Sequence, residues 1–157
     1  MAIRKIKEAK KPLVWMYKGK ELEDEHIPKW AIGIIYLITR KSDGKFYIGK
    51  KLFNSSRRKK IGVKEKAETK TRKTYKIEVK DSGWRTYNGS CKPLLEDIRR
   101  NPDDFTKQII DFGFSKKNLT LLELEYQIKY KCLENYNSYV ENYLGKFFKN
   151  DKINPYL

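Results

Sequence analysis

The stretch GIIYLITRKSDGKFYIGKKLF, residues 33–53, decides the fold of this chain. Two runs rich in β-branched and aromatic residues flank Asp43 and Gly44, a dipeptide typical of a tight hairpin turn. The stretch therefore predicts two antiparallel strands. In such a pair Tyr36 and Tyr47 come side by side on one face of the sheet, and Gly49 leaves room for a backbone or a phosphate to approach.

The rest of the chain predicts a third strand and two helices. The third strand is FTKQIIDFG, residues 105–113. Ser90 can cap a helix that has Pro93 in its first turn and ends before Pro102, and Ser115 can cap a longer helix over residues 116–134. The apolar stripe of that longer helix, which we expect to face the sheet, consists of Leu121, Leu124, Ile128 and Cys132.

Length and composition exclude several classes of protein. The chain has 157 residues, 39% of them hydrophobic and 13% aromatic, which predicts one folded unit rather than a disordered chain. No apolar run reaches the ~18 residues that a membrane span needs, and the charged start lacks the apolar core of a secretion signal. Two distant cysteines and one histidine favour neither a zinc site nor a disulfide framework, so we expect a cytoplasmic protein.

The positive charge is concentrated in two places. The net charge is +16, and residues 50–80 hold thirteen basic side chains against three acidic ones, while residues 1–12 hold five against one. A cationic field this localised attracts a polyanion, so nucleic acid is the expected partner. Tyr75, Trp84 and Tyr87 add surfaces on which bases could stack. The alternative interpretation of a charge run is a solvated, lysine-rich loop.

These patterns predict three parts. Residues 1–30 form an N-terminal basic arm that packs on the core, residues 31–149 form the main domain, and residues 150–157 form a C-terminal tail. Within the main domain, residues 54–82 carry few large apolar side chains and no helical stripe. We expect them to be a basic insertion with little structure in the absence of a ligand.

The hairpin resembles the GIY-YIG nuclease family, whose two motifs read here as GIIY, residues 33–36, and FYIG, residues 46–49. WRTYNGS, residues 84–90, is similar to a W-x-x-Y-x-G-S stretch of phage-encoded relatives. The resemblance implies an α/β (α+β) fold, with a small central three-stranded antiparallel sheet flanked by helices and a basic insertion after the first hairpin. It also implies divalent-metal-dependent hydrolysis of DNA phosphodiesters, with Mg²⁺ or Mn²⁺ as cofactor.

The resemblance also implies catalytic positions. Tyr36 and Tyr47 would lie beside the scissile phosphate, and Lys50 matches the basic residue that follows the second motif. The family's arginine lies on the next helix about ten positions beyond the second tyrosine, and Arg57 has that spacing. An arginine suits this role because its planar fork can hold two oxygens of a phosphate that gains charge. The alternatives for this arginine are Arg72 and Arg85.

The family's metal ligand is one glutamate on the last helix, and two are available. The phase of the predicted stripe turns Glu125 toward the core, where a lone carboxylate is costly unless it holds a cation. Glu123 falls on the more polar side, but its spacing to Gln127 resembles the E-x-x-x-Q pattern of larger members. Asn142 matches the family's late asparagine, with Asn137 as the alternative.

The predicted function is a metal-dependent endonuclease acting on double-stranded DNA, of the homing or phage-defence kind, in a bacterial or phage-infected cell. Cleavage of both strands would require a homodimer on DNA or two successive events. The alternatives are a non-catalytic nucleic-acid-binding protein on the same scaffold and an RNA-directed protein. The residues expected to hold the nucleic acid are Lys51, Arg58, Lys59, Lys60, Arg72, Lys73, Arg85 and Tyr87.

Overall fold

The structure is a computed structural model that describes residues 12–157. Of the predicted basic arm, residues 1–11 therefore lie outside the described part. In chain order the elements are β1 (Trp15–Tyr17), β2 (Lys20–Glu21), β3 (Gly33–Arg40), β4 (Phe46–Leu52), β5 (Asn54–Lys60), α1 (Val63–Thr69), β6 (Tyr75–Asp81), α2 (Lys92–Arg100), β7 (Phe105–Gly113), α3 (Lys116–Lys129), β8 (Asn142–Tyr143) and β9 (Phe147–Phe148).

The main sheet has the order β2-β1-β7-β3-β4. Its antiparallel part, β7-β3-β4, consists of the three strands predicted from the sequence. The prediction of a three-stranded sheet is nevertheless wrong, because β1 joins the edge of β7 in parallel and β2 pairs with β1. Burial holds β1 there, since Trp15 is 3% exposed and its indole N–H donates to the carbonyl of Trp84 at 2.8 Å.

Strand β3 divides the core into two layers, because successive side chains of a strand point to opposite faces. On one face Ile34, Tyr36 and Ile38 pack with the buried side of α2. On the other face Ile35 packs with Leu119 of α3. The sheet is therefore covered by a helix on each side, as predicted.

We call the predicted basic insertion, residues 54–82, the basic segment. It has more regular structure than its sequence indicates. Strands β5 and β6 form a separate two-stranded antiparallel sheet, and α1 lies in the connection between them. The prediction of little structure is wrong, because the strands pair over seven residues even though nearly all their side chains are exposed. Backbone pairing and the cross-strand ion pair Arg57–Glu78, at 3.0 Å, stand in for a buried core.

The helices begin close to where capping chemistry predicts. Ser115 is the N-cap of α3, and its hydroxyl accepts from the backbone N–H of Asn118 at 3.0 Å. Helix α2 has Cys91 rather than Ser90 at its N-cap, and no side chain caps it. Pro93 near the first position of α2 explains the later start, since proline fits the first turn, where its missing N–H has no intrahelical partner.

The buried face of α3 differs from the predicted one. Leu121 and Ile128 are 52% and 54% exposed, whereas Leu119 and Gln127 are buried. The face toward the sheet follows the four-residue steps from Leu119 through Glu123 to Gln127. The predicted placement of Leu121, Ile128 and Glu125 toward the sheet is wrong, because this helix turns polar side chains that way. Leu124 does pack against the core, and Cys132 is buried, but it lies beyond the end of α3, which is at Lys129 rather than at residue 134. No helix within residues 12–157 has the length and apolar character needed to cross a membrane.

Candidate active site

The tyrosines of the hairpin lie diagonally across β3 and β4. Tyr36 pairs with Gly49 in the register, and the rings of Tyr36 and Tyr47 are 6.1 Å apart between centroids. A Cβ at Gly49 would meet the hydroxyl of Tyr36 and lie 2.9 Å from Cε1 of Tyr47. The space opposite Gly49 is therefore filled by the tyrosines, and the expectation that it admits a phosphate is wrong.

A third tyrosine completes the cluster. The ring of Tyr87 stands edge-on to Tyr36 at 6.0 Å, and Nζ of Lys51 lies 4.2 Å from the Tyr87 centroid. Tyr36 is 1% exposed, and burial, followed by the neighbouring Tyr47 and Tyr87, raises its pKa well above the usual value. Tyr36 therefore remains a neutral phenol near neutral pH.

A cleft of about 720 Å³ opens beside this cluster, between β4, the start of α2, the face of α3 and the segment around β8. Among the predicted site residues, those that line it are Tyr47, Glu123 and Asn142. Burial, followed by the charge of Glu123, raises the pKa of Tyr47 to about 12. Tyr47 is thus the motif tyrosine that faces open space, and it does so as a neutral hydrogen-bonding group.

Glu123 is the glutamate of α3 that reaches the cleft. Its side chain is 19% exposed, and burial raises its pKa, an effect that the nearby Lys50 opposes. Nζ of Lys50 lies 3.9 Å from Oε1 of Glu123 and donates to the hydroxyl of Thr120 at 2.6 Å. Glu125 is exposed, on a different side of the same helix.

The two candidate asparagines also differ in whether they reach the cleft. Asn142 lines the cleft, and its Oδ1 accepts from the backbone N–H of Gly145 at 2.7 Å. Asn137 instead donates from Nδ2 to the carbonyl of Asp43 at 2.7 Å and so ties the β3–β4 turn to the C-terminal region.

None of the candidate arginines is among the described residues that line the cleft. Arg57 lies on strand β5, not on a helix as the family pattern implies, and pairs with Glu78. Arg85 pairs with Asp24 at 2.7 Å and lies over the ring of Trp84, while Arg72 is exposed between α1 and β6.

The other predicted nucleic-acid contacts lie mostly on the basic segment. The side chains of Arg58, Lys59, Lys60 and Lys73 are exposed. Lys51 and Tyr87 lie closer to the cleft, since Tyr87 belongs to the tyrosine cluster and Lys51 stacks on it.

The sequence patterns assigned no site role to several residues in or beside the cleft, among them Gln127, which is marked only by its spacing to Glu123. Gln127 lines the cleft and donates from Nε2 to the carbonyl of Ile48 at 3.0 Å, which fixes α3 against β4. Ser90 and Lys92 line the cleft at the start of α2, and their place beside the predicted helix start was the available signal. Lys107 is fully buried and donates to the carbonyl of Tyr87 at 2.9 Å, and no sequence pattern marks it.

The donor set of the cleft is consistent with one weakly held divalent cation. Residues 12–157 contain no group of three or more acidic, histidine or cysteine side chains arranged around a common point. Mg²⁺ keeps several waters and often binds through one or two carboxylates plus substrate phosphates. A partly buried Glu123 facing a polar cleft fits that kind of site, and the exposed Glu141 is the other carboxylate that lines the cleft. Such a site would be complete only with substrate present.

Comparison with known proteins agrees with this geometry. Residues 15–150 match the family model described as putative endonuclease segE, GIY-YIG domain. No curated protein and no solved structure gives a match. The match covers the hairpin, both helices that flank the sheet and the residues that line the cleft, so this chain belongs to the GIY-YIG family, in its SegE-type branch.

Proposed function

We propose that the protein is a divalent-metal-dependent endonuclease that hydrolyses phosphodiester bonds of double-stranded DNA in this cleft. The observation that carries the proposal is the convergence of Tyr47, Glu123 and Asn142 on one opening, from β4, α3 and β8. A tyrosine, a half-buried carboxylate and a carboxamide provide neutral and charged groups for binding a phosphate and a water together.

The scissile phosphate would lie over the start of α2. Helix α2 spans nine residues, and Ser90 and Lys92 from its N-terminal end line the cleft. The free N–H groups and the positive end of a helix favour an anion. Lys92 adds a full positive charge beside the charge that develops in the transition state.

Hydrolysis adds the oxygen of a water to phosphorus, breaks one P–O bond and leaves a proton to be passed to the departing oxygen. Tyr47 would orient the water through its hydroxyl, since its high pKa keeps it protonated. Tyr36 is buried behind it and acts as a positioning residue. A divalent cation held by Glu123 would supply Lewis-acid stabilisation of the phosphate oxygens.

Lys50 keeps Glu123 ready for a cation. The ion pair is loose, at 3.9 Å, while Thr120 holds Nζ of Lys50 at 2.6 Å. The carboxylate therefore has a compensating charge before substrate binds and retains free coordination sites. Arg57, Arg72 and Arg85, which do not line the cleft, would contact the backbone of the flanking duplex instead.

The wider assignment follows from the same proposal. A single cleft cuts one strand at a time, so cleavage of both strands would use a homodimer on DNA or two events. We propose a homing or phage-defence nuclease that acts in the cytoplasm of a bacterial or phage-infected cell, where its free cysteines, Cys91 and Cys132, remain reduced.

The test is plasmid cleavage by three proteins: the wild type, Glu123→Gln and Glu125→Gln. The two variants make the same chemical change on the same helix, one in the cleft and one on the exposed side. We expect nicked or linear DNA from the wild type with Mg²⁺ or Mn²⁺ but not with EDTA. Glu125→Gln should cut at a similar rate, and Glu123→Gln should lose at least about 100-fold.

Two results would contradict the proposal. Equal losses in the two variants would remove Glu123 from its assigned role. Binding of plasmid with no cleavage of DNA or RNA by any of the three proteins would favour the non-catalytic binding scaffold. Retained binding by Glu123→Gln is the control for folding.

A further inference from the structure

The ribbon formed by β5 and β6 has two chemically different faces. Residues opposite each other in an antiparallel pair share a face, and the register places Arg58 opposite Ile77, Ser56 opposite Val79 and Lys60 opposite Tyr75. We call this side the groove face: Ser56, Arg58, Lys60, Tyr75, Ile77 and Val79. The other side carries Ser55 opposite Lys80, Arg57 opposite Glu78 and Lys59 opposite Lys76.

The opposite side of the ribbon is partly neutralised within the protein. Arg57 pairs with Glu78 at 3.0 Å, and Lys76 pairs with Glu65 of α1 at 2.6 Å. This second ion pair brings the Glu65 side chain of α1 to that side. Of the four cations on this side, Arg57 and Lys76 have acidic partners, whereas Lys59 and Lys80 form no ion pair within residues 12–157. This side can therefore still contact DNA phosphates, and what it lacks is an exposed apolar strip.

The groove face is apolar in the middle, cationic on the facing strand and uncovered. Ile77 and Val79 are 72% and 62% exposed, and Tyr75 is 46% exposed. The guanidinium of Arg58 lies 4.7 Å from the centroid of the Tyr75 ring. Within residues 12–157 neither Arg58 nor Lys60 forms an ion pair with an acidic side chain.

The base of the ribbon is joined firmly to the strand that carries Tyr47. The backbone N–H of Ser82 donates to the carbonyl of Phe53 at 3.0 Å, and its hydroxyl donates to the carbonyl of Leu52 at 2.6 Å. The ring of Phe53 packs on Trp84 at 4.8 Å between centroids. The ribbon therefore extends from β4 in a defined direction, and whatever it binds is held at a set distance from the cleft.

We propose that the groove face enters the major groove of duplex DNA and contacts base edges. This inference rests on the proposed function, since it supplies the contact that selects where the cleft acts. The major groove is about 12 Å wide and admits a two-stranded β-ribbon, whereas the minor groove is about 6 Å wide. A strand of seven residues spans roughly 23 Å, which corresponds to about seven base pairs.

The apolar residues distinguish groove binding from contact with phosphates alone. Lysines and arginines suffice for the backbone, and exposed Ile77 and Val79 would gain nothing there. In the major groove they can pack on thymine methyl groups, while Arg58 can donate to the acceptors of guanine. The combination of a strong positive field and an apolar strip fits a duplex groove better than it fits an apolar protein surface.

The first experiment measures duplex binding in a Glu123→Gln background, by fluorescence anisotropy over a range of salt concentrations. The test variant is Ile77→Ser/Val79→Ser, which changes no charge and alters only exposed side chains. We expect its affinity to fall about tenfold, with an unchanged dependence on salt concentration. The matched control is Val63→Ser, since Val63 is 87% exposed in the same segment but lies on α1, and it should bind like the parent.

A second measurement identifies the groove. Methylation of guanine N7, which lies in the major groove, should interfere with binding of the parent protein and interfere less with the double variant. A more conservative variant, Ile77→Thr/Val79→Thr, keeps β-branched side chains in the strand and guards against loss of the ribbon itself.

Three results would overturn the inference: parent-like affinity of both double variants, no interference from guanine N7 methylation, or a DNA-free dimer that the double variant converts to a monomer. The last would show that the groove face binds a second copy of the chain. All readouts measure binding, so they separate the two proposals. If the protein binds duplex DNA through the groove face but does not cut it, only the proposed nuclease activity is refuted. If it cuts DNA and the groove-face variants bind like the parent, only this inference is refuted.

Discussion

Gly49→Ala tests whether the tyrosine cluster depends on the missing side chain in β4. A Cβ at this position would lie 2.6 Å from Cζ of Tyr36 and 2.9 Å from Cε1 of Tyr47, whereas an ordinary contact begins at 3.4 Å. The ring of Tyr36 must therefore retreat by about 0.8 Å. It has nowhere to go, because it is 1% exposed and packs between Trp15 and Tyr87 at 5.4 and 6.0 Å.

Two effects of known size follow from that displacement. Overpacking of a close-packed interior costs about 1–3 kcal/mol, and each kcal/mol lowers the melting temperature of a domain of this size by about 2–4 °C. A displacement of about 1 Å at catalytic groups costs roughly 100-fold in rate. We expect Gly49→Ala to melt several degrees lower and to cut plasmid about 100-fold more slowly at a temperature where it is fully folded.

The control is Gly62→Ala, because a Cβ at Gly62 has nothing within 4 Å. It should match the wild type in melting temperature and cleavage rate. If Gly49→Ala melts with the wild type and cuts within about threefold of it, the close packing around Gly49 does not position the tyrosines and the reasoning fails.

Three further predictions concern stability. Burial raises the pKa of the Glu123 carboxyl, so the folded state binds its proton more tightly than the unfolded state does. The stability that this contributes is lost as pH rises through the pKa of the folded state. Glu123→Gln should therefore melt above the wild type near pH 8, with a gap that closes in acid, and a pH-independent gap would contradict this. Burial lowers the pKa of Lys107 from 10.5 to about 8, so the wild type should gain stability relative to Lys107→Met as pH rises between these values in thermal melts, whereas parallel curves would count against it. Ser115→Ala should lose about 1 kcal/mol in urea unfolding, because the N–H of Asn118 loses its acceptor, and an unchanged midpoint would refute the cap.

Predictions from local chemistry agreed with the structure. The β3–β4 hairpin follows from alternating β-branched and aromatic residues around Asp43-Gly44, and β7 covers the predicted residues 105–113. Ser115 was identified as a cap from its position before a helical sequence. Each of these signals depends on a few neighbouring residues, so tertiary contacts with the rest of the chain do not change the local structure that it predicts.

Helix α3 shows where local patterns fail. Its leucines predict one buried face, but the helix turns Glu123 and Gln127 toward β4 and leaves Leu121 exposed. The hydrogen bond from Gln127 to the carbonyl of Ile48, which joins residues 79 positions apart, compensates for burying an amide. Apolar periodicity cannot anticipate a polar buried face, because the partner that satisfies it lies elsewhere in the chain.

The sequence by itself therefore determined the hairpin with its two tyrosines, the family, the concentration of positive charge and the start of the long helix. The tertiary structure decided that Glu123 rather than Glu125 faces the cleft, that Asn142 rather than Asn137 joins it, and that β1 extends the sheet. It also decided that the basic segment is a two-faced ribbon. The physical reason is range: turns, caps and charge runs are set by neighbours in the chain, whereas a cleft is made where distant segments bury each other's polar groups.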